Sequence, residues 1–106
     1  MPWRYQPVIV TESDGDESCG ICELYFDDSG DLTRWTANPF IYPAGETIQG
    51  LTSDLIRMLM DAYSWVPVRF AELRPGMTFE RALSQEQREG IARMVETVGL
   101  AAKPRI

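Results

Sequence analysis

Three groups of residues in this chain have the types and spacing to do chemistry. Cys19-Gly20-Ile21-Cys22 has the Cys-x-x-Cys spacing of dithiol redox motifs and of half a zinc site. A redox dithiol needs its first thiol at a helix N-terminus, where the dipole holds the thiolate. Here the pair falls in or just before a strand pattern, and residues i and i+3 of a strand point to opposite faces. The sulfurs therefore diverge, and the simpler reading is a buried Cys22 beside an incidental Cys19. The second group comprises two oxygen-rich stretches, Asp14-Gly15-Asp16-Glu17 and Asp27-Asp28-Ser29-Gly30-Asp31. Neither has the alternating ligands, central Gly and closing Glu of a helix-flanked calcium loop, and both fit ordinary turn chemistry. The third is Glu23, mid-strand between Ile21 and Tyr25 and set opposite Trp35. A carboxylate among aromatic rings has its charged form disfavoured, which is how acid–base groups are tuned.

Beyond these, the chain is chemically sparse. It has no His, so the commonest general base and metal ligand is missing. It shows no nucleophile elbow, no phosphate-binding Gly loop and no dinucleotide fingerprint. No cofactor or metal is expected. With 16 acidic against 10 basic residues the net charge is −6, which repels a phosphate backbone, so direct nucleic-acid binding is disfavoured. No apolar run approaches the roughly 20 residues that cross a bilayer. The N-terminal Met1-Pro2-Trp3-Arg4-Tyr5 lacks a signal-peptide core, so a cytoplasmic protein is expected.

The elements that position these residues can be read in turn. Residues 3–10 form a β pattern with Trp3, Tyr5, Pro7 and Ile9 on one face, and Pro7 argues for an edge strand. Residues 11–18 contain no apolar side chain and read as a loop. Residues 19–26 and 32–36 make a hairpin about an Asp27–Gly30 type I turn with Gly30 left-handed. This register sets Phe26 against Leu32, Leu24 against Arg34 and Cys22 against Thr36. Ile21, Glu23, Tyr25 and Trp35 then share the other face, joined by Trp3 and Tyr5 if the first strand pairs alongside. Both faces carry large apolar groups, so each needs a cover.

Thr47 caps a helix over 47–63 whose apolar stripe is Ile48, Leu51, Leu55, Met58, Leu59 and Ala62, with Asp54, Arg57 and Asp61 on the opposite side. A further strand is expected near 66–71, with Pro67 marking an edge. A second helix over 84–98 opens on the capping box Ser84…Gln87 and stops at Gly99, with Leu100 packing back on Val95. The sum is a single α+β domain: an antiparallel meander of three or four strands on one amphipathic helix, plus a C-terminal helix, with the aromatic face covered by that helix, by a partner or second copy, or by both.

Trp3-x-Tyr5, Glu23-x-Tyr25-x-Asp27-x-x-Gly30, Trp35-Thr36-x-x-Pro39 and Gly45-Glu46-Thr47-x-x-x-Leu51-x-x-Asp54-Leu55-x-x-Met58 together resemble a group of small bacterial proteins with no assigned activity. The resemblance covers residues 3–68 and implies that the core lies there, with 69–106 a helical extension. Functionally, the aromatic face of Trp3, Tyr5, Ile21, Glu23, Tyr25 and Trp35 predicts a non-catalytic module working by protein–protein contact or self-association as a homodimer. The alternatives are a small-molecule binder or enzyme pairing Glu23 with an Arg such as Arg34, and an acidic antagonist of a nucleic-acid-binding protein.

Overall fold

A computed structural model describes residues 2–101, and the side chains of residues 2–97. The fold is α+β: a four-stranded sheet with two helices. Strands β1 (Trp3–Thr11), β2 (Glu17–Phe26) and β3 (Leu32–Trp35) pair antiparallel in chain order. The short β4 (Val68–Arg69) joins β1 in parallel, giving the order β3-β2-β1-β4. The expected loop over 11–18 is shorter than its composition suggests, because β1 and β2 stay paired out to Thr11 and Glu17. Helix α1 spans Ile48–Ser64, a 3-10 turn spans Phe70–Glu72, and α2 spans Gln85–Ala101.

Local chemistry explains the ends of these elements. The Asp27 carboxylate accepts from the Ser29 and Asp31 amides, both at 2.9 Å, and Gly30 takes φ +85°. That turn is the one expected. Thr47 caps α1 by accepting from the Gly50 amide at 3.0 Å. The Ser84 hydroxyl accepts from the Gln87 amide at 3.1 Å while Gln87 Oε1 accepts from the Ser84 amide at 2.9 Å, the reciprocal capping box. The far end of α2 differs from expectation, since the helix runs through Gly99 to Ala101. A helical Gly costs only about 1 kcal/mol relative to Ala and need not end a helix. The expected packing of Leu100 on Val95 lies outside the described side chains.

Four further expectations are corrected. First, β1 lies inside the sheet at Val8 and Ile9, where β4 pairs with it, and keeps a side without a described strand toward its N-terminus. The Tyr5 amide and Trp3 carbonyl point away from β2, and Pro7 shares that orientation, so its missing N–H falls just before β4 begins. Second, a bulge at Thr33 shifts the hairpin register, setting Leu24 against Trp35 and Tyr25 against Arg34. A one-residue slip moves a side chain to the opposite face. Third, α2 does not cover the aromatic face; it leans on α1 through an Arg88–Asp61 ion pair at 3.0 Å.

The fourth correction concerns α1. It docks along β1 with Asp61 and Ser64 buried together with Met58 and Met60, while Ile48, Leu55 and Leu59 of the expected stripe stay exposed. Asp61, 2% exposed, accepts from the Tyr5 amide at 3.0 Å, and Arg57 donates to the Trp3 carbonyl at 3.3 Å. Among the described residues, no strand pairs with β1 on this side beyond Val8 and Ile9, so its backbone groups need partners, and the helix supplies them. The main hydrophobic cluster lies on the other sheet face: Val8, Cys22, Leu24, Leu32 and Leu73, with Trp35, Phe70, Met77 and Phe79 packed around them. Arg4 also sits there. Its guanidinium lies 3.7 Å from the Trp65 ring centroid and 4.9 Å from that of Phe79, and donates to Gln6 at 2.6 Å. Burial lowers its pKa to about 10.

Candidate functional site

Strand alternation places Trp3, Tyr5, Ile21, Glu23 and Tyr25 on one face, as read from the sequence. Trp35 is not among them; the Thr33 bulge turns it to the core face beside Leu24. Ile21 lies under the connection between β3 and α1, whose Ile41 amide donates to the Ile21 carbonyl at 3.1 Å. That connection hugs the outer edge of β2 closely. A Cβ on Gly20 would stand 2.1 Å from the Pro39 carbonyl oxygen.

The remaining residues form two rows across the strands. In one, Trp3 and Tyr25 are cross-strand neighbours, with Arg57 stacked 3.8 Å from the Trp3 centroid and Arg34 4.7 Å from that of Tyr25. In the other, Glu23 opposes Tyr5, and Asp54 of α1 follows. Each tyrosine hydroxyl donates to a carboxylate: Tyr25 to Glu23, Tyr5 to Asp54. Burial, and next the bond to Asp54, push the Tyr5 hydroxyl above the ordinary phenol range; Glu23 adds to the rise and Arg57 opposes it. The bond to Glu23 raises Tyr25 in the same way. The second Asp54 oxygen accepts from the Ala44 amide at 2.9 Å, tying the connection to the helix.

Between these rows and α1 opens a cleft of about 420 Å³, lined by Trp3, Tyr5, Glu23, Ala44, Asp54 and Arg57 among others. It is shallow and broadly open to solvent. Glu23 thus does border a concavity, but its arginine is Arg57 and not Arg34, which stays on Tyr25. Asp54 and Arg57 were missed because sequence periodicity assigns them to the solvent side of α1. Their signal was present: Asp54, Arg57 and Asp61 recur at i, i+3 and i+7, a polar stripe that a strand with unpaired edge groups can use.

The inversion of α1 creates a second candidate surface. Ile48, Leu55, Leu59 and Tyr63 are 38%, 48%, 42% and 59% exposed, along one outward line of the helix. The three charged residues of α1, Asp54, Arg57 and Asp61, all turn toward β1, so this line carries no charge.

The cysteines lie apart, Cys22 in the core and Cys19 exposed. Burial pushes the Cys22 thiol up to about 11. Among the described residues, no group of three or more His, Cys, Asp or Glu is arranged to hold a metal, and no helix is long and apolar enough to cross a membrane. No protein-family model matches the chain, no curated protein is similar to it, and no solved structure matches it.

Proposed function

We propose that this chain is a small cytoplasmic, non-catalytic module that works by protein–protein contact, its partner being a second copy of itself. The observation that carries the reading is the outward line of Ile48, Leu55, Leu59 and Tyr63 on α1. Singly exposed apolar residues are commonplace, but several along one helix face mark a contact surface. Charge selects the occupant. Two copies of a chain with net charge −6 repel one another, and this helix face is free of charge where they would meet. A two-fold contact requires a patch complementary to itself, which an uncharged apolar line satisfies. Direct nucleic-acid binding stays outside the proposal, on the same acidic balance.

The test is light scattering over a concentration series, comparing wild type with the double variant Leu55→Lys, Leu59→Lys. Wild type is expected to pass from 12.0 kDa to twice that mass, while the variant stays monomeric with unchanged helix content. A wild type still monomeric at about 1 mM, where association is weaker than about −4 kcal/mol, would overturn the reading. A second reading, a small-ligand binder, is favoured by the cleft beside Glu23.

A further inference from the structure

The cleft between the sheet and α1 holds two opposite charges that are not spent on each other. Glu23 accepts from Tyr25 through one oxygen, Oε2, and no bond to its Oε1 occurs among the described residues. Arg57 uses one nitrogen on the Trp3 carbonyl, and it forms no ion pair among the described residues. Both line the same cleft. Asp54 differs, because each of its oxygens already accepts a bond from this chain, one from Tyr5 and one from the Ala44 amide. The cleft therefore offers one available carboxylate edge and one available guanidinium edge. Beside them the half-buried Trp3 packs edge to face on the buried Tyr5, ring centroids 5.1 Å apart.

We infer that this cleft binds a small zwitterion of the α-amino-acid class, its carboxylate on Arg57, its ammonium on Glu23 and its apolar part against Trp3. A guanidinium presents a planar fork of donors that matches a carboxylate in bidentate fashion. A carboxylate with a free oxygen accepts from an ammonium by a charge-assisted bond of the same strength class. Both binding groups are held in place before the ligand arrives. Arg57 is stacked on Trp3 at 3.8 Å, and Glu23 is anchored by Tyr25, so little side-chain freedom is lost on binding. A ligand with a single charge leaves one of the two protein charges without a partner, which is the basis of discrimination. This inference concerns the sheet face of α1 and stands apart from the self-association proposed for its outward face.

The experiment is a titration of the ¹⁵N-labelled full chain with L-phenylalanine, phenethylamine and 3-phenylpropionate, read by amide shifts around the cleft. These probes share the ring and differ in which charge they carry. L-Phenylalanine is expected to shift the Trp3, Tyr5, Glu23, Ala44 and Arg57 amides in saturable fashion, and each single-charge analogue to bind at least tenfold more weakly. Arg57→Gln is expected to lower affinity for L-phenylalanine about tenfold while leaving that for phenethylamine unchanged; Glu23→Gln does the reverse, sparing 3-phenylpropionate. No saturable shift with L-phenylalanine up to about 10 mM, or equal affinity for the amine and the zwitterion, would overturn the inference. The wild-type ligand series decides the matter even if a variant fails to fold.

Discussion

Replacing Asp61 tests how α1 is docked, because the two possible orientations give opposite costs. Asp61 is 2% exposed and accepts two bonds, from the Tyr5 amide at 3.0 Å and from Arg88 at 3.0 Å. It thereby joins β1, α1 and α2. A hydrogen bond to a charged group contributes about 1.5–3 kcal/mol. The Arg88 arm is discounted, because that side chain keeps 31% of its surface in water and rehydrates when released. The Tyr5 amide has no such escape and is left buried without an acceptor, at about 1–3 kcal/mol. Asp61→Ala is therefore expected to cost about 3 kcal/mol, lowering Tm by about 10–20 °C for a chain of this size. The complementary variant is Leu55→Ala. With Leu55 48% exposed, it should cost less than about 1 kcal/mol in dilute solution, against the 2–5 kcal/mol typical of a buried Leu. Urea and thermal unfolding followed by circular dichroism measure both. An Asp61→Ala variant within about 0.5 kcal/mol of wild type, the range for a solvated surface group, would refute this docking.

Thr47→Ala removes the acceptor for the Gly50 amide and should cost about 1 kcal/mol in urea unfolding. With the Cys22 thiol pushed up to about 11 by burial, iodoacetamide at pH 7.5 should alkylate Cys19 alone in the folded chain and both cysteines in denaturant, as counted by intact-mass spectrometry. Gly20→Ala would place a methyl 2.1 Å from the Pro39 carbonyl, forcing the connection off β2, and should destabilise the chain by about 1–3 kcal/mol.

What could be read in the sequence was local. The Asp27–Gly30 turn, the Thr47 cap and the Ser84…Gln87 box each depend on residues within a few positions of one another, and each is present. Strand alternation likewise brought Trp3, Tyr5, Glu23 and Tyr25 to one face. What escaped depends on neighbours distant in sequence. An apolar stripe on α1 implies burial only if an apolar surface is available to meet it. Here α1 meets β1 partly through polar groups, so Asp61 is buried and Asp54 and Arg57 bond to β1, while of the apolar stripe Met58 is buried and Ile48, Leu55 and Leu59 are exposed. Trp35 escaped because a bulge is a one-residue event with no strong composition signal at Thr33. Arg4 follows the same logic as Asp61: a charge on an apparently polar position lies half-buried among Trp65, Phe79 and Phe26.

The central claim is that the outward face of α1 meets the same face of a second copy. An isotope-filtered NOE experiment on a mixture of ¹³C-labelled and unlabelled chains tests it at atomic level. Cross-peaks between copies are expected from the Ile48, Leu55 and Leu59 methyl groups. If these methyls instead show contacts only to their own chain's sheet, or if no cross-peak between copies appears at millimolar protein, the account is contradicted.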